Sequence, residues 1–191
     1  VMATRSQPTG VALIWVEQAG QNSIVVAPGA DGELTPADIE SGKQASQEAK
    51  CALFQLDTPL EAVAAALKAA RAAGAETVLD PAPARPLPAE VLSAVDLLTP
   101  NESEACILLG RAPERVGLAE AAQMARELRA LGPKAVIVKL GDQGCYYSGP
   151  DGEMAVEGFR VQAVDTTAAG DTFNGALAVA LTEGQEMRAA L

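Results

Sequence analysis

The sequence predicts an α/β chain: a mostly parallel sheet with helices packed on both faces. Three observations carry this. Short apolar runs alternate with amphipathic helical runs along most of the 191 residues, the pattern of strand–helix–strand units. The helical runs close on glycines, at Gly74, Gly110 and Gly132. Asp57, Asp80, Asn101, Gly141 and Asp165 each fall just after a predicted strand. Ligands of open α/β sheets bind beyond the carboxyl ends of the strands, so these five positions are expected on one rim.

The elements follow in order. Gly10 to Ala30, GVALIWVEQAGQNSIVVAPGA, reads as two β-rich runs around a Gly-containing turn, a hairpin. Thr35 suits the N-cap of a short helix over TPADIESGKQ. CALFQL, Cys51 to Leu56, reads as a short buried strand. DTPLEAVAAALKAARAAG is a helix with Asp57 or Thr58 as cap and Pro59 in its first turn. ETVLD is the next strand, and PAPARPLP a rigid loop, because each proline fixes φ and lacks a donor. AVDLLTP is a strand, followed by the helix NESEACILLG. LAEAAQMARELRALG is an amphipathic helix and AVIVKL an apolar strand. GCYYSGPDGEMAV is a hairpin through Pro-Asp-Gly, and FRVQAV a strand leading to the last motif. EMRAAL reads as the start of another helix; with Val1 at the other end, both termini read as those of a fragment.

Composition narrows the function classes. Fourteen basic and 25 acidic residues give a net charge of −11, which argues against general nucleic-acid binding. No apolar run is long enough to cross a bilayer, and the polar start VMATRSQPTG has no signal-peptide core. A soluble, acidic, cytoplasmic protein is expected. The three cysteines, Cys51, Cys106 and Cys145, are scattered and form no CxxC pair, against a disulfide framework or a zinc site. Cys51 and Cys106 lie in apolar runs and read as small core residues. There is no histidine, which removes the Ser-His-Asp triad, the Cys-His pair and any His-ligated metal. A general base in this chain is then a carboxylate or a lysine.

The chemistry concentrates in DTTAAGDTFNGAL, Asp165 to Leu177. Ala168, Ala169 and Gly170 are small enough to expose consecutive backbone N–H groups, and a helix begins at once. Its positive end and those N–H groups suit an anion such as phosphate. Asp171 stands where an anion is already held. A carboxylate there is badly placed to bind the phosphate and well placed to take a proton from a hydroxyl attacking it. From spacing alone, Asp171 is equally a helix cap. Asn101 and Glu104 have the spacing of a capping box, Gly141 and Gly144 that of turn glycines, and Asp80 before Pro81 that of a turn former. Lys139 reads as partly solvated.

The motif VDTTAAGDTFNGAL resembles the signature of the ribokinase-like sugar kinases of the phosphofructokinase-B type. LLTPNESEA is similar to that family's Asn-x-x-Glu segment and VKLGDQG to its nucleotide-contacting Gly loop. FQLDTPLE, DPAPARPLP and TGVALIWVEQAGQNSIVVAPGAD are similar to further segments in the same order, so the likeness covers nearly the whole chain. It implies a three-layer α/β/α domain over 1–191, with 1–28 as lid or edge hairpin and 29–191 as core. It implies ATP-dependent phosphorylation of a sugar's primary hydroxyl, D-ribose at its 5-hydroxyl first among them. Another sugar or nucleoside kinase, such as a fructokinase, and a non-catalytic nucleotide-binding fragment are the alternatives.

By the same resemblance Asp171 is the base and Ala168, Ala169, Gly170 and Asp171 form the anion hole. Asn101 and the segment Lys139, Leu140, Gly141, Asp142, Gln143, Gly144 contact Mg-ATP, and Glu104 reaches Mg2+ through water. Asp165 and Thr167 bind a monovalent cation, normally K+, and Asp57 contacts the sugar. A homodimer is implied, with no nucleic acid or membrane among the partners. Two residues depart from the pattern. Ribokinase-like chains that prefer ribose usually carry Glu where Asp57 stands, and many members carry Gly where Ala168 stands; Ala168 is tolerable there if its φ stays negative. The 191 residues by themselves are expected to be poorly active and open to aggregation through exposed sheet edges.

Overall fold

The structure, a computed structural model, describes residue 4, residues 6–17 and residues 22–191, with the side chains of residues 45 and 46 left out. The Gly-containing turn expected between the first two strands falls on 18–21, and part of the polar start on 1–3 and 5, outside the described residues. Strands β1 (Val11–Val16) and β2 (Asn22–Ala27) pair antiparallel, as the hairpin pattern requires. Helix α1 (Pro36–Gly42) starts on Thr35, whose Oγ1 accepts from the Asp38 N–H while the Asp38 carboxylate accepts from the Thr35 N–H. That reciprocal pair holds a short helix that has no buried residue of its own.

The remaining strands form one six-stranded sheet: β3 (Cys51–Phe54), β4 (Glu76–Leu79), β5 (Leu97–Leu98), β6 (Ala135–Lys139), β7 (Cys145–Gly149) and β8 (Gly152–Val156). They lie side by side in chain order. β3 to β6 run parallel, and β7 and β8 fold back antiparallel through the Pro150–Asp151 turn. The crossovers between the parallel strands carry α2 (Leu60–Ala72), α3 (Ala89–Leu92), α4 (Glu102–Leu108) and α5 (Leu118–Ala130). After β8 come α6 (Ala169–Thr182) and α7 (Met187–Ala190).

Strand side chains alternate between two cores, which makes the molecule three-layered. Leu79, Leu98, Val136 and Val138 face Leu67, Cys106, Met124 and Leu128 of α2, α4 and α5. Val78, Leu97 and Ile137 face Leu177 of α6, with Phe173, Leu181 and Met187 packed alongside. Each large side chain so buried is worth about 1.5–3 kcal/mol of transfer free energy.

Three expectations are corrected here. CALFQL is not a buried strand: β3 is an outer strand of the sheet, Leu53 is 48% exposed and Cys51 is half-buried. Neither Asp57 nor Thr58 caps α2; Pro59 holds that position, with no side-chain cap bond, so Asp57 is free for another role. FRVQAV is not a strand. Phe159, Val161 and Val164 are 80–90% exposed and no strand among the described residues pairs with them; alternation favours a strand only where a neighbour supplies the ladder.

Candidate active site

The carboxyl ends of β3 to β6 and the amino end of α6 meet at one rim. Asp80 follows β4, and its N–H donates to Phe54 O of β3 at 2.9 Å. Asn101 follows β5 and bridges to Lys139 at the end of β6. The backbone of the strands thus fixes the spacing of the side chains that follow them.

Asp171, in the first turn of α6, accepts from Gln55 Nε2 at 2.7 Å across 116 residues of sequence. Asp57 lies in the same loop as Gln55. Its carboxyl is pushed above the usual range, first by burial and then by the negative charges of Asp171 and Asp31, against the opposing charge of Arg85. Arg85 Nη2 ties the Asp57 loop down, donating to Leu56 O at 3.0 Å and to Thr58 O at 3.1 Å. Gln55, Asp80, Asp171 and Asn174 border a cavity of about 250 Å³ with Leu53 and Phe54.

No side chain caps α6. The Ala169 N–H is used by Thr166 O at 3.2 Å, while Gly170 and Asp171 occupy positions whose N–H groups a helix leaves without internal partners. Ala168 is left-handed, with φ 58°, so the condition of a negative φ is not met. The chain must reverse there to enter the helix, and alanine is held in a conformation that costs about 1–2 kcal/mol. Ala168→Gly in the full-length protein is therefore expected to raise the urea midpoint. The net gain is about 0.5 kcal/mol, because glycine also loosens the unfolded chain; a lower midpoint would contradict the strain.

Asp165 folds onto its own turn: its carboxylate accepts from the Thr167 N–H at 2.8 Å, and these bonds hold it below the usual carboxylate range. Thr167 Oγ1 accepts from Asn22 of β2 at 3.2 Å, which ties the hairpin to the motif. Asn101 and Glu104 form the capping box that their spacing allowed. Asn101 Oδ1 accepts from the Glu104 N–H at 2.9 Å, and the Glu104 carboxylate accepts from Asn101 N and Nδ2. Burial raises the Glu104 carboxyl; the Asn101 bond and Lys139 oppose the rise, and Asp80 adds to it.

The Gly loop turns back on itself, with Gly141 to Gln143 as a single 3-10 turn and the Leu140 N–H donating to Gly144 O at 2.8 Å. A groove of about 1650 Å³ joins Leu140, Gly141 and Asp142 to Asp165, Thr166 and Ala169. Gln143, Gly144, Lys139 and Asn101 are not on its wall. Lys139 is mostly buried: its side chain is 14% exposed and its ammonium donates to Asp80 Oδ2 at 2.7 Å. A separate cavity of about 470 Å³, among Glu76, Asp96 and Lys134 at the amino ends of the strands, holds none of the motif residues.

Several partners had no reading from the sequence. Gln55, Arg85 and Asn22 act through tertiary contacts that no local pattern encodes. Asn174 did carry a signal: it follows Asp171 by three residues, on the same face of α6.

The fold and this rim define a class: an α/β protein with a carboxylate in the first turn of a helix that opens at the strand ends. Comparison with known proteins makes that class specific. The family model described as pfkB family carbohydrate kinase matches residues 1–191. The chain is 41% identical over 193 residues to a ribokinase of Schizosaccharomyces pombe, covering all of this chain and 61% of that protein. It superposes on a Thermotoga maritima ribokinase with TM-score 0.81 and 39% identity, covering 97% of this chain and 60% of that one. A ribokinase of Arabidopsis thaliana complexed with ribose and ATP gives TM-score 0.82 and 33% identity at the same coverage. The chain belongs to the pfkB family of carbohydrate kinases. It spans about 60% of the length of these relatives.

Proposed function

We propose that the full-length protein transfers the γ-phosphoryl group of ATP to the 5-hydroxyl of D-ribose, giving ribose 5-phosphate and ADP. One observation carries the reading: in a pfkB-family chain, Asp171 stands in the first turn of α6, next to the Gly170 turn, and accepts from Gln55 at the end of β3. The relatives described as ribokinases support the sugar.

Asp171 accepts the proton of the attacking hydroxyl, and the Gln55 amide orients its carboxylate. The hydroxyl oxygen bonds to the γ-phosphorus as the bond to the β–γ bridging oxygen breaks, and ADP leaves with that electron pair. The N–H groups of Ala168 to Asp171 take up charge on the transferring group, Gly170 and Asp171 most directly. Asp57 hydrogen-bonds the sugar hydroxyls. The Gly loop, Lys139 to Gly144, and Asn101 flank the nucleotide.

Mg2+ accompanies ATP and neutralises its phosphates. The Glu104 oxygens already accept from Asn101, so their hard-oxygen chemistry suits the ion through water. Asp165, kept ionised by Thr167, and the oxygens of Thr167 suit a monovalent cation such as K+ by donor type. The hairpin within 1–28 acts as a lid over the core of 29–191, and its exposed Leu13, Trp15 and Val25 suit a homodimer contact.

The test is ADP release by the full-length protein with Mg-ATP and K+, offering ribose, 2-deoxyribose and fructose. Ribose is expected to give the highest kcat/KM. Preference for another sugar would move the assignment within the family, and ATP binding without turnover on any sugar would make the chain a non-catalytic binder.

A further inference from the structure

A lysine taken out of water needs a reason. Lys139 ends β6 with its ammonium on Asp80 Oδ2 at 2.7 Å, and the two side chains are 14% and 6% exposed. The same oxygen accepts from Asn174 Nδ2 of α6 at 2.6 Å. One carboxylate oxygen thus pins β4, β6 and α6 together. Stability does not explain the arrangement. Burying an ion pair costs several kcal/mol of solvation per ion, and apolar replacements of equal volume are often no less stable.

The neighbourhood supplies a reason. A Cβ placed on Gly170 would lie 3.3 Å from the Lys139 ammonium and 3.5 Å from Asp80 Oδ2. The pair fills the space directly behind the turn that opens α6, and a side chain at Gly170 would crowd it. The other Asp80 oxygen and Asn174 Oδ1 are both buried and without a hydrogen-bond partner, and both residues border the cavity beneath Asp171. Unsatisfied buried polar atoms cost stability, so the network is not explained by its contribution to folding.

We propose that Lys139 is a positioning residue for phosphoryl transfer: locked by Asp80 and Asn174, it braces the Gly170 turn and fixes a positive charge behind the anion hole. This rests on the kinase reading given above. The charge needs no reorganisation as the transferring group passes, which is what makes such a charge effective. Asp80 acts by holding Lys139, and Asn174 by holding Asp80.

The test compares full-length Asp80→Asn, Lys139→Met and the double variant for thermal midpoint, kcat and KM for ribose. Each single variant leaves a buried charge without its partner and is expected to lower the midpoint. The double variant removes both charges and is expected to regain the wild-type midpoint. It is also expected to keep a kcat at least about tenfold down with KM for ribose unchanged. Recovery of wild-type kcat together with the midpoint would reduce the pair to a structural contact and overturn the proposal. Should the double variant not fold, Lys139→Gln replaces it, since it keeps a donor for Asp80 without the charge; wild-type kcat there overturns the proposal equally. Wild-type protein with no turnover on any of the three sugars is the failure of the kinase reading itself and removes this inference with it.

Discussion

Asp171→Asn in the full-length protein is expected to lower kcat for ribose by about 10³-fold, within the range that general-base catalysis contributes. The substitution is nearly isosteric. Asparagine keeps an oxygen that can accept from Gln55 Nε2, now 2.7 Å from the carboxylate, so the rim should hold its shape. What it removes is the basic carboxylate that takes the proton. KM for ribose and for Mg-ATP should change little, and the thermal midpoint should stay the same or rise, because a negative charge that acts on Asp57 has gone. Steady-state kinetics with both substrates varied is the measurement. A variant that keeps more than about a tenth of wild-type kcat would move the base elsewhere, and Asp57 would be the next residue to examine.

The largest structural effect is expected at Gly144. Its φ of +92° is one that other residues avoid, and a Cβ there would stand 2.0 Å from Val156 O and 2.5 Å from the Gly158 N–H. Both are backbone atoms, at the end of β8 and just beyond it, so no rotamer relieves the clash. Gly144→Ala should lower stability by about 4 kcal/mol, at the upper end of single substitutions. Gly152→Ala is the control: φ is +106° and nothing lies within 4 Å of the added carbon. It should cost only the conformational term of about 1–2 kcal/mol. Urea unfolding of the two full-length variants decides; equal costs would mean that the backbone beside Gly144 gives way.

Much of the fold was legible because its signals are local. The Thr35 cap, the Asn101–Glu104 pair and the closing glycines lie within a few residues of the ends they define. The Pro-Asp-Gly hairpin was legible for the same reason. Residues 159–164 misled because alternation says which faces a strand would show and not whether a neighbour exists. β5 ran to seven residues in the sequence and to two in the structure, since only Leu97 and Leu98 find ladder partners. At the site, Asp171 and the small residues before it were legible as a motif. The brace behind them was not: Lys139 and Asp80 are 59 residues apart, and Asn174 and Asp80 are 94 apart. Nor does a run of alanines disclose that one of them takes a left-handed φ.

The side-by-side, chain-ordered sheet has a consequence for the order of assembly. From β3 to β8 each strand needs only the strand made just before it. A chain leaving the ribosome can lay these six strands down progressively, each crossover joining neighbours in the sheet. The candidate site has no such luxury: Gln55 leaves early and waits 116 residues for Asp171. A nascent chain therefore holds most of its sheet before it holds any site, and α6 is at once the element that covers the second face and the one that completes the chemistry.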